Sequence, residues 1–549
     1  MHAKNRGEIP HRRSFLKHSA LAAGAFFINT RTRAGFASDP PTSPVTVPFI
    51  QPLRFPRYAV PLPSFQPLDP ILDPAKFQRY DEFPAQAMYQ FDVCEAQASP
   101  HPQLGLSTAS TFGGGCPGLT LMMRYGVPAV VRMRNCLPSV MTGFGSCEVS
   151  THVHNGHHAS ESDGFPGNIY EPGQYWDFHY PNICAGGDPL EAKSTLWYHD
   201  HTDHYTAQNV HRGLAGFFLL FNDKDSGDER DPNPDAYRLP SGVPDGRRVR
   251  GRYDIPLMLS DARFDTNGVQ VMDVMDMDGH IGDKFLVNGG VQPYFEVERR
   301  KYRFRILDAS VSRFYDLWFS NSMEFQHIGN DGNLLPAPIT ANRVRLAPAE
   351  RADIVVDFSQ LPAGTTEIYL VNRAEHRDGR GPQGDLLPLA GAPKILKFIV
   401  RRETGVPDAS RVPSTLKPLP AMDIPVAQER FWHFDRTNGL WTVNGQLADI
   451  HRVDATVKRG TAEIWNISTS GGWAHPIHMH LEEYRILSYN DGPVAGTVLG
   501  GVKDVFALYP SDEMRIYMKF RDWVGSYVMH CHNTVHEDHA MMVRWDVVP

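Results

Sequence analysis

The chain lacks any apolar run long enough to cross a bilayer. Of its 549 residues, 41% are hydrophobic and 21% are charged, which is ordinary for a soluble globular protein. The apolar run at residues 20–28 is well short of the about 20 residues that a membrane-spanning helix requires. A glycine-rich phosphate-binding loop is also missing. We therefore expect no membrane span, and at this length about three or four domains of ordinary size.

A basic surface is missing as well. The whole chain has a net charge of −8. Residues 1–37 hold seven Lys or Arg and one acid, a net charge of +6, so the remainder carries −14. Because nucleic-acid binding requires a basic face, nucleic acid is not an expected partner.

Cysteine is scarce, with six residues in the chain. Cys531 lies in a histidine-rich segment, and the other five lie in the first third of the sequence. These five are Cys94, Cys116, Cys136, Cys147 and Cys184. In an exported protein we expect one or two disulfides and a free thiol among them, and the sequence does not predict the pairing.

The first forty residues have the features of a leader sequence. "HRRSFLKHSALAAGAFFINT" has a basic start with the pair Arg12 and Arg13, followed by a short apolar stretch, as in a signal peptide. It closely resembles the twin-arginine export signal of bacteria. That resemblance implies export of the folded protein, often with its cofactor inserted, to the periplasm or beyond. We expect a signal at residues 1–37, with cleavage after Ala37.

The rest of the chain has the pattern of an all-β protein. Forty-four prolines and 46 glycines favour short strands and turns, and runs such as "KYRFRILDAS" and "TAEIWNIST" alternate apolar and polar residues as β-sandwich strands do. Residues 38–78 are Pro-rich and predict an extended arm on the surface. Charged, turn-rich segments near 222–251 and 401–420 resemble linkers. We therefore predict three β-domains, at residues 79–225, 245–402 and 420–549.

The segment "VMHCHNTVHEDHAMM", residues 528–542, concentrates metal-binding side chains. If "YVMHCH" is a strand, His530 and His532 face one side and Cys531 faces the other. One strand can then join two metal centres. On the cysteine side, His536 and Met541 complete the thiolate, imidazole and weak axial thioether set of a blue-copper site. The alternative is a buried cysteine among surface histidines.

Three further segments match this one in kind: "THVHNG", "LWYHDHTDH" and "HPIHMH". They contribute His152, His154, His199, His201, His475, His478 and His480. In an extended segment, residues two apart present both imidazoles on one side. Each pair alone is weak evidence, but four such segments together predict a polynuclear metal site.

These four segments closely resemble the four copper signatures of the multicopper oxidases. "KFLVNGGVQPYFEVERRKYRFRILDAS" and "LAPAERADIVVDF" are most similar to the branch of bacterial spore-coat laccases and bilirubin oxidases. The resemblance covers residues about 80–549, and it implies three cupredoxin-like Greek-key β-sandwich domains and four copper ions. Carried over residue by residue, it assigns His475, Cys531, His536 and Met541 to type-1 copper, His152 and His478 to type-2 copper, and the sets His154, His199, His532 and His201, His480, His530 to the two type-3 coppers.

The resemblance also implies two proton-carrying acids. Asp163, nine residues after His154, stands where the family keeps an acid near the type-2 and type-3 coppers, and Glu537 in the "HED" run is in the position used for proton delivery. The alternatives are a turn residue before Gly164 and a solvated surface acid. We expect supporting or surface roles for the other nearby histidines, His157, His158, His204, His211 and His539. The methionines of "VMDVMDMDGH", residues 271–280, are expected to serve packing.

The leading functional prediction is a laccase-like oxidase of phenols, aromatic amines or bilirubin-like pigments that reduces dioxygen to water. A second reading is a metal oxidase acting on Cu(I) or Mn(II), in which Glu482 and Glu483 lie near the edge of the type-1 site. A third is a copper-free structural protein of the same fold, which fits poorly because every ligand position is filled. The sequence predicts neither the physiological reductant nor the oligomeric state.

Overall fold

The structure, a computed structural model, describes residues 42–63, 72–241, 253–402 and 407–549. From Thr42 to Pro549 the chain forms one compact unit. The predicted signal at 1–37 lies outside the described residues, as does part of the predicted arm. Within the described ranges, no helix has the length and apolar character needed to span a membrane.

The first pair of sheets lies within residues 87–221. Its strands are β1 (Ala87–Ala98), β2 (Ser107–Phe112), β3 (Leu121–Arg124), β4 (Ala129–Asn135), β5 (Thr151–His154), β6 (Tyr175–Tyr180), β7 (Thr195–Asp200) and β8 (Ala215–Phe221). The sheet orders are β2-β1-β4-β6 and β3-β8-β7-β5. In β4, Val131 and Met133 are fully buried whereas Arg132 and Arg134 are more exposed, because successive side chains point to opposite faces. The alternation seen in the sequence therefore builds a sandwich core.

The second pair of sheets lies within residues 254–400. Its strands are β9 (Asp254–Phe264), β10 (Gln270–Val271), β11 (Lys284–Val287), β12 (Gly290–Val291), β13 (Tyr294–Val297), β14 (Lys301–Asp308), β15 (Tyr315–Phe319), β16 (Phe325–Asn330), β17 (Asn333–Ala341), β18 (Arg343–Leu346), β19 (Arg351–Asp357), β20 (Glu367–Asn372) and β21 (Lys394–Val400). An eight-stranded sheet has the order β12-β11-β9-β14-β19-β16-β17, with β10 on β9. A five-stranded sheet, β13-β21-β20-β15-β18, faces it across an apolar core.

The third pair of sheets lies within residues 426–548. Its strands are β22 (Val426–Thr437), β23 (Leu440–Val443), β24 (Ala455–Lys458), β25 (Thr461–Thr469), β26 (His475–Met479), β27 (Tyr484–Tyr489), β28 (Val502–Lys503), β29 (Val505–Leu508), β30 (Glu513–Phe520), β31 (Gly525–Cys531) and β32 (Met542–Val548). The orders are β23-β22-β25-β30-β27-β28 and β24-β32-β31-β26-β29. Two short helices, α1 (Thr206–Arg212) and α2 (Thr534–Asp538), follow ligand-bearing strands β7 and β31.

The prediction of an all-β fold of cupredoxin-like sandwiches is confirmed. The domain boundaries remain a prediction, although each pair of sheets falls inside one predicted domain. The described part of the arm bridges two of them, because Pro52 pairs with Tyr294 and Tyr58 pairs with Thr120. Leu53 of the arm is buried in the second core.

Candidate metal centre

Four strands bring the histidine segments together. β5 pairs with β7 so that His152 lies opposite His199, and β26 pairs with β31 so that His478 lies opposite His530. The i, i+2 spacing then puts the second histidine of each segment on the same side. Eight imidazoles converge between the first and third pairs of sheets, all of them at most 1% exposed: His152, His154, His199, His201, His478, His480, His530 and His532.

The eight imidazoles form three groups, each with its ligand nitrogens within 4.8 Å of one another: His152, His478 and His480; His154, His199 and His532; His201, His480 and His530. The last two are the sets expected for the type-3 coppers, and the first contains the pair expected for type-2 copper. Burial lowers the pKa of His199 to about 3 and that of His201 to about 4. These two imidazoles are therefore neutral at physiological pH, which is the form that binds a metal.

A separate group contains the cysteine. Cys531 Sγ lies 3.5 Å from His475 Nδ1 and 3.6 Å from His536 Nδ1, and the two Nδ1 atoms are 3.2 Å apart. Met541 is fully buried in the same core cluster, and its main chain bonds to Cys531 and His536. One cysteine sulfur and two imidazoles in contact, with a methionine in the same buried core, provide a donor set suited to copper.

Strand β31 joins the two centres. His530 and Cys531 are consecutive, so their side chains leave the strand on opposite faces. His530 enters the histidine cluster, and Cys531 enters the second group. His532 returns to the cluster side. The chain thus connects a mononuclear donor set to a polynuclear one through the bonds of three consecutive residues.

Both predicted acids lie beside ligand histidines. His480 Nδ1–H donates to Asp163 Oδ2 at 2.7 Å, and His152 Nδ1–H donates to the main-chain carbonyl of Asp163. Burial raises the pKa of Asp163 well above its usual range, so this carboxyl retains a proton more readily than an exposed one.

Glu537 contacts two other ligand histidines. Its Oε2 is 2.9 Å from His530 Nδ1 and its Oε1 is 3.5 Å from His201 Nδ1. Thr206 Oγ1–H donates to Oε1 at 2.8 Å. Burial by itself would raise the pKa of Glu537, but His530 and His201 lower it below its usual range. Asp163 and Glu537 therefore differ in proton affinity.

Sequence reasoning missed one buried acid. Asp504 lies 3.1 Å from His154 Nε2 and forms a two-pronged ion pair with Arg351 of β19. Asp504 precedes β29, far from any histidine segment in the sequence. No local motif marks it, so only the folded chain reveals its contact with a ligand.

The segment 271–280, expected to serve packing, covers the cysteine-containing group. His536 Nε2–H donates to the carbonyl of Asp278 at 3.0 Å, and Trp441 Nε1–H donates to the carbonyl of Met277 at 2.7 Å. The ring of Trp441 lies 3.8 Å from that of His536. Met277 packs against the third core, which agrees with the packing role, whereas Met275 is 65% exposed. The ligand histidine is thus held by main-chain atoms of this segment.

Two sequence expectations are wrong. Glu482 accepts hydrogen bonds from Arg521, and Glu483 accepts them from Asn155 and Asn333. Both acids therefore lie on the side of the histidine cluster rather than at the edge of the cysteine group. The chain turns after His480 because Leu481 has a φ of +65°. The expected one or two disulfides are not formed, since all six cysteines, which lie in the described ranges, are free.

The other nearby histidines have supporting contacts. His157 Nε2 lies 2.8 Å from Asp522 Oδ2, and His204 Nδ1–H donates to the carbonyl of Asp538 at 2.8 Å. The ring of His158 packs on Tyr180. These contacts agree with the expectation that they are not ligands.

Comparison with known proteins agrees with this geometry. Two multicopper oxidase family models match residues 95–225 and 422–549. A bilirubin oxidase from Albifimbria verrucaria is 33% identical over 551 aligned positions, covering 96% of this chain and 89% of that protein. A laccase from Bacillus subtilis (strain 168) is 30% identical, covering 84% and 94%.

Solved structures share the fold. The McoA multicopper oxidase from Aquifex aeolicus superposes with a TM-score of 0.72 at 24% identity, covering 91% of this chain and 99% of that one. A multicopper oxidase from Campylobacter jejuni described as a metallo-oxidase gives 0.72 at 19% identity, covering 93% and 99%. From the sequence relationship and the four convergent donor groups, the chain belongs to the multicopper oxidase family and is an oxidoreductase of the laccase type.

Proposed function

We propose that the protein binds four copper ions and oxidises small aromatic reductants one electron at a time, coupled to the four-electron reduction of dioxygen to water. The observation that carries this proposal is the path from Cys531 to His530 and His532, which connects the two donor groups through three consecutive residues at the end of strand β31. We assign His475, Cys531, His536 and Met541 to the type-1 ion, and the eight clustered histidines to the type-2 and type-3 ions. Bound copper supplies one-electron redox chemistry.

The separation of the two groups fits this reaction. A phenol or aromatic amine gives up one electron, whereas dioxygen takes four to become two waters. The cysteine group lies nearer the surface segment 271–280, and the histidine cluster is buried between sheets, so electron uptake and oxygen reduction are kept apart. In this proposal protons reach the cluster through Asp163 and Glu537, and the contacts of these two carboxyls with ligand histidines support it.

The surroundings of His475 support an aromatic reductant. Trp473, two residues before it, is half-buried, and the guanidinium groups of Arg380 and Arg436 lie 4.9 and 5.0 Å from its ring centroid. Two cationic groups therefore lie over the ring of an aromatic residue close to a ligand histidine. Such positive charge suits phenols and bilirubin-like pigments that carry carboxylates, and the relatives named laccase and bilirubin oxidase point the same way.

One observation favours a metal-ion reductant as the second candidate. The segment that covers the cysteine group exposes Met275 and carries Asp273 and Asp276 on either side of it. Carboxylates and a thioether are ligands that attract Cu(I) or Mn(II). The Campylobacter jejuni structure described as a metallo-oxidase shares the fold.

We also propose that the protein is exported by the twin-arginine route to the periplasm or the cell exterior. The support is the Arg12–Arg13 leader and the contrast between its charge of +6 and the −14 of the remaining chain. Nucleic acid is not a partner in this proposal, because the exported part is acidic.

The test is the copper content and visible absorption of the loaded protein, followed by oxygen uptake with a phenol, Cu(I) and Mn(II). Four coppers per chain, a blue thiolate band and uptake without released peroxide are expected, with the phenol turned over fastest. Faster turnover of Cu(I) or Mn(II) than of the phenol would favour the second candidate, a metal oxidase. A colourless protein without copper would overturn both and leave a structural role.

A further inference from the structure

One histidine of the cluster is turned the other way from its neighbours. Most of the cluster histidines direct Nδ1 outward to an oxygen and Nε2 inward. The outward Nδ1 contacts are those of His152 and His480 with Asp163, of His199 with the Asp200 carbonyl, of His478 with the Asp504 carbonyl, and of His201 and His530 with Glu537. His154 instead directs Nε2 to Asp504 at 3.1 Å and Nδ1 inward, 3.4 Å from His199 Nε2.

The orientation of His154 matters because a neutral imidazole carries one N–H. The nitrogen that keeps the proton is a donor, and only the other has a lone pair for a metal. Asp504 is fully buried and its oxygens only accept when ionised. By accepting the Nε2–H bond, it leaves the lone pair of His154 on Nδ1, which points into the group with His199 and His532.

Asp504 is itself held in place from a different pair of sheets. Arg351 Nη1–H donates to Asp504 Oδ1 at 2.8 Å and Nη2–H donates to Oδ2, and Arg351 is fully buried too. The main-chain N–H of Asp504 donates to Asp331 Oδ2 at 3.2 Å. A guanidinium fork matches a carboxylate in plane, so the pair fixes the direction of Asp504 and favours its ionised form.

Asp504 also reaches the second ligand set through its main chain. His478 Nδ1–H donates to the Asp504 carbonyl at 3.0 Å. One residue therefore orients a histidine from each of two neighbouring groups, with its side chain on His154 and its carbonyl on His478.

We propose that Asp504, held by Arg351, is a positioning residue that sets the tautomer of His154 and thereby makes the His154, His199 and His532 group competent to bind its type-3 metal ion. A competing reading treats Asp504 as a ligand, since its carboxylate lies near His154 and His478. Arg351 argues against this, because its positive charge occupies both carboxylate oxygens. The proposal rests on the four-copper function proposed above.

The test compares Asp504→Asn with a matched control. In the control, Asp254→Asn, the lost carboxylate is bound by Arg305 through the same kind of two-pronged pair, at 2.7 and 2.8 Å. Asparagine in place of Asp504 offers its oxygen to Arg351 and its NH₂ to His154 Nε2, which favours the wrong tautomer. Total copper is measured by elemental analysis, and paramagnetic copper by EPR, in which a spin-paired type-3 couple is silent.

The wild-type protein is expected to hold four coppers, half of them EPR-silent. A wild-type protein with fewer coppers or without a silent half would count against the proposed function rather than against the inference about Asp504. Asp504→Asn is expected to lose one type-3 ion, leaving about three coppers per chain that are all EPR-visible, with the blue band unchanged. Asp254→Asn is expected to behave as wild type. A fully loaded Asp504→Asn with half its copper silent would overturn the proposal, as would loss of a visible copper while the silent pair remains.

Arg351→Lys keeps the test decisive if Asp504→Asn does not fold. Lysine retains the charge but loses the fork, so Asp504 is less firmly aligned on His154. The EPR-visible fraction is expected to rise above half, by less than in Asp504→Asn. An unchanged fraction in this variant would overturn the role given to Arg351 and Asp504.

Discussion

Replacing Glu537 by glutamine tests whether this carboxylate both orients the ligand histidines beside it and carries protons to the cluster. The substitution keeps the shape of the side chain and removes its charge. Glu537 lies 2.9 Å from His530 Nδ1 and 3.5 Å from His201 Nδ1. Loss of a partner that orients a metal-binding histidine weakens metal affinity by about 10–100-fold, which is about 1.4–2.8 kcal/mol.

The effect on turnover is expected to be larger than the effect on copper affinity. A positioned acid or base contributes about 10²–10⁴-fold to a rate, and glutamine can neither accept nor release the proton. The assay is oxygen uptake with a phenol at saturating copper, normalised to measured copper content. The matched control is Asp538→Asn, because Asp538 is the next residue but binds the main-chain N–H groups of Thr206 and Ala207. Glu537→Gln protein that is fully loaded and turns over within about twofold of wild type would refute the proton role.

Three further outcomes are expected. Cys531→Ser should abolish the blue band and phenol turnover while the EPR signal of the histidine cluster persists, because the thiolate belongs only to the other group. Asp163→Asn should slow oxygen uptake per bound copper by about 10²-fold or more; equal rates in fully copper-loaded protein would rule out a relay through this residue. His179 donates to the Phe83 carbonyl, and burial lowers its pKa to about 4. Its contribution to stability, about 3 kcal/mol, is therefore full above pH ~6.5 and is lost as the pH falls toward 4. Urea unfolding at several pH values should show a flatter pH dependence for His179→Gln, and the same slope in both proteins would contradict this.

The histidine and cysteine positions could be predicted because the chemistry is local in the sequence. Two-residue periodicity fixes the side to which His530, Cys531 and His532 point once the segment is extended. The same rule applies to His152 and His154. Alternation of apolar and polar residues predicted the all-β fold for the same reason, since one face of each strand must be buried.

Contacts between distant segments could not be predicted in this way. Asp278 accepts the hydrogen bond of His536 through its main-chain carbonyl. Because every residue has such a carbonyl, no residue type reveals this contact in the sequence. The sequence prediction for Glu482 and Glu483 is wrong because closeness to His480 along the chain does not determine where the chain runs after a turn. The positive φ of Leu481 directs the chain away from the cysteine group.

The sequence by itself determined which residue types are available to bind metal, and that strands would present them in pairs, because both depend on covalent connectivity and on the pleat of an extended chain. Only the tertiary structure decided which pairs form one group, and which nitrogen of each imidazole faces inward. His154 and Asp504 are 350 residues apart and meet through the packing of separate pairs of sheets, with Arg351 contributed by a third. Such a contact depends on how sheets pack, and packing is a property of the whole folded chain rather than of any local pattern.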